Sequence, residues 1–380
     1  MNKSEVIVEV ERPKRRRHRQ YSQKKSQPRP QPTEAELAER ERKKAERERE
    51  RNELIARTPY IAVSIQTTGI HPKTAHIVSI DALVLDSSGH IAEEFHAVVN
   101  PGGDPGPRHL HGLTAADIAG NRPFSGVLKT LDKLIDGRTL IVHNAPYVWG
   151  FLYEEARRAM AHAARRNRSR TSKRGKRRQR VGHIPRPIAI ADTLAGARRK
   201  ALVIPDPRLR AVAHIAGIAS SPAAASTERA HLNEMTTSRE LTHLVVKLYH
   251  AGYFILRDPA HLCADEFGLQ RSTIRVDAAE QPAEIENPGV YTPHRGLQAG
   301  MEFSVAPETT IDPDLIIETG LGLGMKYSEK ITRTASFLVC NLREGFNGKS
   351  MHATRKAIPL LGDEEFMHLA HDVHRAQNGD

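Results

Sequence analysis

The sequence predicts an α/β protein: a mixed central sheet flanked by helices, followed by a second, smaller α/β region. Three observations carry this. Short apolar, β-branched runs separated by turn residues fill the stretch between Tyr60 and Asn100. From Pro123 such runs alternate with amphipathic helical segments, and the alternation resumes after Leu297 behind a Pro- and Gly-containing stretch. Apolar runs of period two and segments of period 3.6 in one chain are the mark of sheet-and-helix layers.

Taken in order, YIAVSI from Tyr60, HIVSIDALVLD from His76 and HIAEEFHAVVN from His90 read as three strands of an antiparallel meander. PFSGVLKTLDKLIDG reads as a helix stopped at Gly137, and TLIVHNA as a further buried strand. PYVWGFLYEEARRAMAHAA, ADTLAGARRK, DPRLRAVAHIAGI and SRELTHLVVKLYHAGYFIL supply helices. Residues 258–295 lack sustained periodicity and read as a linker with one short helix. Beyond it come GMEFSV (strand), DPDLIIETGLGLG (helix), MKY (strand), TRTASFLVC (strand), GKSMHATRKA (helix), IPLL (strand) and DEEFMHLAHDVHRA (helix).

The net charge of +12 is unevenly placed. Residues 1–58 hold 18 Lys+Arg and 11 acids, a net +7. Residues 1–33 form a basic arm whose 12–32 stretch, Pro- and Gln-rich, has too little apolar surface to offset chain entropy, so disorder is expected. Residues 34–56 read as a solvated charged helix, opened by a capping box of Thr33 and Glu36 and supported by i,i+3 and i,i+4 ion pairs. Residues 165–180 carry ten cations and no acid: Arg165, Arg166, Arg168, Arg170, Lys173, Arg174, Lys176, Arg177, Arg178 and Arg180. Their Ser, Asn and Gly neighbours predict a long surface loop, and unopposed cations at this density suit nucleic-acid phosphate. The remaining chain then sums to 12 − 17 = −5. Only Cys263 and Cys340 are present, which excludes a disulfide scaffold and a four-cysteine zinc site. No apolar run approaches the ~20 residues of a membrane span, so no membrane partner and a reducing cytoplasm (nucleoid included) are expected.

Between Pro59 and Leu256 the ordered segments Thr67–Thr68–Gly69, Asn100–Pro101–Gly102, His111–Gly112–Leu113–Thr114, His143–Asn144–Ala145, Asp192–Thr193–Leu194 and His231 resemble the DEDDh 3′–5′ exonuclease family, which includes the epsilon subunit of bacterial DNA polymerase III. The resemblance implies a ribonuclease-H-like fold over residues 57–257 and a reaction run by two divalent metals held by four carboxylates. It assigns those four positions to Ser64, Gln66, Val148 and Thr236, none of which is acidic, and leaves His231 as the candidate general base. Neutral oxygens, and none at all from Val148, cannot balance two Mg²⁺ ions. Glu154 and Glu234 are nearby acids, but helical spacing points them in different directions.

Residues 296–375 resemble a BRCT domain through Thr334-x-x-Phe337–Leu338–Val339, Gly348–Lys349 with Ala353, Ile358–Pro359 and Glu365–Phe366. That family implies protein or DNA-end docking, and in some members a phosphate pocket, for which Lys349 is the candidate cation. Ala306 and Pro307 stand where the pocket's Ser/Thr–Gly is expected. The family's late tryptophan is replaced by the neighbourhood of Phe366. Together these features anticipate a non-catalytic nucleic-acid-binding or scaffolding protein of DNA replication or repair, with DNA favoured over RNA, a protein partner on the C-terminal domain and no cofactor. An active exonuclease using Mg²⁺ or Mn²⁺, and an RNA- or ribosome-associated protein, are the alternatives.

Overall fold

The computed structural model describes residues 33–170, 180–221 and 232–378. The chain divides into two units, residues 1–51 and residues 52–380. Helix α1, Glu34–Arg57, has no buried residue. It opens on the capping box expected of it: the Glu36 carboxylate accepts the Thr33 N–H at 3.1 Å, and Thr33 Oγ1 accepts the Glu36 N–H at 3.3 Å.

Strands β1 (Tyr60–Thr67), β2 (Ile77–Leu85) and β3 (Ile91–Val98) form the antiparallel meander. β4 (Thr139–Val142) runs parallel to β1, and β5 (Ala189–Asp192) parallel to β4. β6 (Ile255–Arg257) closes the other edge antiparallel, giving the ribonuclease-H-like order β3-β2-β1-β4-β5-β6. β2 is buried at all nine positions because both of its faces are covered.

The helices between these strands are α2 (Arg108–His111), α3 (Ala115–Ala119), α4 (Leu128–Ile135), α5 (Ala145–Arg170), α6 (Thr193–Arg199), α7 (Leu209–Ile215) and α8 (Glu234–His250). α4 and α5 enclose one core with Ile61, Ile80, Leu140 and Ile190 of the sheet. On the opposite face α8 covers Ala62, Leu83, Ile141 and Ala191 through Val245 and Val246.

Three expectations need correcting. Residues 165–170 are not loop, for α5 continues to Arg170. Arg and Ala are strong helix formers, and cations at a helix C-terminus meet its partial negative charge. ADTLAGARRK is not all helix: Ala191 and Asp192 end β5, and Asp192 caps α6 by accepting the Leu194 and Ala195 N–H groups at 3.1 and 3.2 Å. The third concerns residues 258–295, which are no free linker. They form the hairpin β7 (Leu262–Ala264) and β8 (Gln270–Ser272), then α9 (Thr273–Glu280). Ala278 and Tyr291 of this stretch are buried in the C-terminal core.

That C-terminal unit continues with β9 (Glu302–Val305), α10 (Pro313–Gly322), β10 (Lys326–Tyr327), β11 (Phe337–Val339), α11 (Gly348–Arg355), β12 (Leu360–Leu361) and α12 (Asp363–Asn378). All its sheet pairs are parallel, in the order β10-β9-β11-β12. The expected strand TRTASFLVC shrinks to Phe337–Val339, because Thr332 and Thr334 turn their hydroxyls to the Glu302 carboxylate. Phe303, Phe337 and Phe366 stack with centroids 5.8–6.1 Å apart, so Phe366 fills the core where a tryptophan was expected.

Contacts lock this unit to the larger sheet. Arg199 Nη1 donates to the Thr309 carbonyl and to Pro307 O (3.4 Å), and Asn347 Nδ2 donates to Ile204 O at 3.4 Å. The hairpin tip accepts the Lys73 N–H on Phe267 O at 3.0 Å. α6 lies equally close to the start of β6: a Cβ on Gly196 would sit 2.1 Å from the Phe254 backbone nitrogen. Gly196→Ala is expected to cost about 1–3 kcal/mol by overpacking, read as a lowered thermal midpoint. An unchanged midpoint would contradict this packing of α6.

Candidate functional site

The chemistry-bearing cluster of the sheet starts from one residue of an otherwise apolar strand. Asp81 lies in the middle of β2 with a fully buried side chain. A lone buried carboxylate is untenable unless paired. α8 supplies Arg239, whose Nε donates to both Asp81 oxygens at 2.9 and 3.0 Å and whose Nη1 reaches Glu94 of β3. β3 also supplies His96, with Nδ1 3.3 Å from Asp81 Oδ2 and Nε2 3.0 Å from Glu234 Oε2. Glu234, the first residue of α8, further accepts the hydroxyls of Ser79 and Ser238.

Burial works against both carboxylates, yet the contacts with His96, together with Arg239 on Asp81 and the serines on Glu234, outweigh it and hold both below the usual range. Those two carboxylates, Asp81 first, push His96 up to about 9. The two buried anions, Asp81 and Glu234, are thus matched by two cations, and Glu94 adds a third carboxylate at the exposed edge of the cluster.

The positions that the resemblance assigns to metal-binding acids lie around this cluster without forming a ligand set. Ser64 sits opposite Asp81 in register, and its Oγ is taken by Thr242 Oγ1 at 2.7 Å and Ser238 O at 3.2 Å. Gln66 pairs in register with Ser79 and is half-buried. Val148 is buried in the apolar core, and Thr236 is exposed on the first turn of α8, donating its N–H to Asn233 Oδ1 at 2.8 Å. His231 lies outside the described residues. Glu154 is committed to Arg157, 2.7 Å away. A hydroxyl already bonded twice, a half-buried amide, a valine and an outward threonine do not fit a pair of magnesium ions. Among the described residues no group of three or more His, Cys, Asp or Glu side chains could hold a metal ion.

The family-like motifs, by contrast, are each absorbed by backbone work. Thr67 Oγ1 donates to Gly69 O at 2.7 Å and accepts the Tyr147 hydroxyl at 2.5 Å, tying the end of β1 to α5. His111 Nε2 donates to Pro105 O while Nδ1 accepts the Leu113 N–H, both at 3.1 Å, and burial holds the ring below the usual imidazole range. Asn144 takes a left-handed φ of 68°, a conformation Asn tolerates, and donates its N–H to Asp192 Oδ1 at 3.1 Å. His143 reaches Pro207 O through Nε2 and Thr193 Oγ1 through Nδ1, both at 2.9 Å, and burial pushes it down to about 4.

The basic block is split by the structure. Arg165, Arg166 and Arg168 are exposed on the last turns of α5, Arg170 ends that helix, and Arg180 is exposed beyond it. Lys173, Arg174, Lys176, Arg177 and Arg178 lie outside the described residues. Lys349, the candidate phosphate cation, is largely buried at the start of α11. Its Nζ donates to Val305 O at 3.0 Å and lies 3.2 Å from Glu329, whose carboxylate also takes Arg275 (2.6 Å) and the Tyr327 hydroxyl (2.6 Å). Burial, then Arg275, pushes Lys349 down to about 7 against the pull of Glu329. An internal carboxylate therefore holds the cation that a phosphate would need.

Reasoning from the sequence missed Asp81, His96 and Arg239. The available signal was Asp81 itself, one charge inside IVSIDALVL, which demands a partner.

The cluster gives a pH dependence with a definite sign. His96 has its folded value raised from 6.5 to about 9, so its contribution to stability is complete below 6.5 and lost as pH rises through 9. Asp81 and Glu234, lowered from 3.8 and 4.5, contribute above those values and lose it as pH falls. The stability gap between the native protein and His96→Gln is expected to be widest between about pH 4.5 and 6.5 and to close toward pH 9, measured by denaturant unfolding at each pH. A gap that does not change with pH would show that His96 is uncharged.

Comparison with known proteins places one region of the chain. Residues 66–175 match the family model described as Exonuclease. The epsilon subunit of DNA polymerase III from Haemophilus influenzae is 30% identical over 105 residues, 26% of this chain and 41% of that protein. The 3′-5′ exonuclease DinG of Bacillus subtilis is 28% identical over 103 residues, 26% of this chain and 11% of that protein. The chain thus spans less than half the length of these relatives. Among solved structures, exonuclease I aligns at 16% identity and a TM-score of 0.34, over 50% of this chain and 40% of that one. Escherichia coli exonuclease I in complex with a dT13 oligonucleotide aligns at 14% identity and a TM-score of 0.35, over 51% and 41%. The chain therefore contains an exonuclease-family domain related to the epsilon subunit of DNA polymerase III.

Proposed function

We propose that this protein is a non-catalytic member of the exonuclease lineage, a nucleic-acid-binding scaffold of DNA replication or repair. One observation carries the reading: the four positions that the resemblance assigns to metal-binding acids, Ser64, Gln66, Val148 and Thr236, are all neutral, with Ser64 already bonded and Val148 buried in the apolar core. Ser64 is closed in by Thr242 and Ser238, and the acids nearest to it, Asp81 and Glu234, are spent on Arg239 and His96. Two-metal hydrolysis needs free carboxylates, and fold alone does not supply them.

Binding is assigned to the basic segments rather than to the sheet. The 165–180 block contributes +10 of a net +12, and its first turns project from α5 as an exposed cationic helix end. The C-terminal unit is read as a BRCT-like protein-docking module. Its parallel order β10-β9-β11-β12, with helices after the first, third and fourth strands of the chain, supports that reading. The Glu329 carboxylate on Lys349 favours docking without phosphate. The DNA over RNA preference rests on the relatives being DNA polymerase subunits.

Purified protein incubated with 3′-labelled single-stranded DNA and Mg²⁺ or Mn²⁺ is expected to leave the label untrimmed. Trimming that His231→Ala abolishes would overturn the non-catalytic reading in favour of an active exonuclease. Deleting residues 165–180 is expected to flatten the slope of log K against log salt for single-stranded DNA by several units, at about 0.7 per lost phosphate contact. A stronger affinity for structured RNA than for DNA would move the assignment to an RNA-associated protein.

A further inference from the structure

Three arginines gather where the larger sheet meets the C-terminal unit. Asp192 ends β5 and caps α6, and the last turn of that helix carries Arg198 and Arg199. Arg257 of β6 stands opposite Ile190 in register, two residues along β5 from Asp192 and therefore on the same face of the sheet. Asp192 attracts Arg198 and Arg199 electrostatically and lies 3.9 Å from Arg257 Nε, so the three guanidiniums share one neighbourhood. Arg199 is repelled by both of the others.

These arginines are largely withdrawn from water yet poorly supplied with acceptors. The side chains of Arg198 and Arg257 are only 18% and 20% exposed. Arg198 Nη2 stands 3.7 Å from Glu308 Oε1, and the 3.9 Å from Arg257 Nε to Asp192 Oδ2 is likewise beyond hydrogen-bond length. Arg199 commits Nη1 to Pro307 O, Thr309 O and Thr309 Oγ1. The Nε of all three is buried with no acceptor among the described residues. The nearby acids are engaged elsewhere: Asp192 Oδ1 accepts the N–H groups of Asn144, Leu194 and Ala195, and Asp312 Oδ1 accepts that of Asp314. Burial pushes the Glu308 carboxyl up. Burial also holds Arg198 and Arg199 below the ordinary arginine range, and the neighbouring arginines add to it against the pull of Glu308, Asp192 and Asp312. Buried donors left unmet in this way cost free energy.

We propose that this seam holds a phosphate-type oxyanion, taken by Arg198, Arg199 and Arg257. Three acids stand near the three arginines, so what the seam lacks is acceptors in contact rather than a distant countercharge. A water molecule accepts two hydrogen bonds and brings no charge. A phosphate group presents several charged oxygens to planar donor forks, and such bonds are about twice as strong as neutral ones. Lys349 takes no part, being held by Val305 O and Glu329. The site stands independently of the scaffold reading, because free phosphate and a nucleic-acid phosphate offer the same oxygens. Since Arg199 also ties Pro307 and Thr309 to α6, an oxyanion here fastens the C-terminal unit to the sheet.

The test is equilibrium dialysis of the full chain against radiolabelled inorganic phosphate at about 100 mM NaCl, where partly buried charge contacts are only weakly screened. Saturable retention is expected. Arg198→Gln/Arg257→Gln is expected to weaken it by about tenfold or more, through the loss of charge-assisted hydrogen bonds from two guanidiniums. Arg208→Gln removes an exposed arginine paired with Asp206 and is expected to leave retention unchanged. Melting followed by circular dichroism checks that each variant is folded. Should the double variant unfold, Arg257→Lys replaces it, keeping the charge without the planar fork, and is expected to weaken retention several-fold. If the native chain retains no phosphate, the donors are met by water and the proposal is overturned. Equal retention by the native chain and the seam variant overturns it too, placing the phosphate elsewhere. Where the native chain retains the label through the seam, displacement by unlabelled dT30 identifies the bound group as a nucleic-acid phosphate. Displacement by unlabelled phosphate alone identifies free phosphate.

Discussion

A carboxylate in the middle of a sheet has to be neutralised, and that demand organises one whole face of the larger domain. Asp81 projects from β2 toward α8, where only a paired charge is tolerable. Arg239 answers it from the helix and His96 from the neighbouring strand, and His96 in turn secures Glu234 at the helix start. Three elements are thereby fixed to one another in register. Val245 and Val246, two turns further along α8, can then settle on Ala62 and Leu83. The charge determines where the helix lies, and apolar burial supplies most of the energy once it is there.

The same arrangement leaves Ser64 and Gln66, on the neighbouring strand β1, with neutral side chains beside a charged cluster that is already paired. In a metal site, electrostatic repulsion among four carboxylates is offset by bound cations. Here the buried anions, Asp81 on β2 and Glu234 on α8, are paired with protein cations instead. Ser64 and Thr242 close the gap with a hydroxyl pair, and Val148 joins the apolar core beneath α5. The motifs kept around this site still have their structural tasks. Asn144 starts α5 from a left-handed turn, His143 braces the loop before α7, and Asp192 caps α6.

Much of this was legible in the sequence, and the exceptions share physical causes. The meander, β4, α5 and the strand-helix order of the C-terminal unit follow from periodicity and turn residues, which are local properties. β5 and β6 were missed because four- and three-residue strands carry too little pattern, and Ala191–Asp192 reads equally well as a helix start. Residues 258–295 looked like a linker because a hairpin and an eight-residue helix gain their stability from what they touch, not from their own periodicity. The Asp81 cluster joins β2, β3 and α8, and its longest pairing crosses 158 residues of chain. No local window contains such a contact, although the lone charge in an apolar strand announces that a partner exists.

The packing of residues 258–295 also bears on how such a chain is put together over evolutionary time. Modules shuffle cleanly when their borders cut few contacts. The border suggested by the BRCT resemblance, near residue 296, would sever Ser272 from Asp314, at 2.7 Å, and Arg275 from Glu329, at 2.6 Å. It would also uncover Ala278 and Tyr291. The transplantable piece is therefore longer than its recognisable motifs, beginning near the hairpin at Leu262. Because that hairpin is bonded to the loop at Lys73, exchanging the module for another would leave a scar on the exonuclease-like domain itself. Cutting at either border would break contacts on both sides of it.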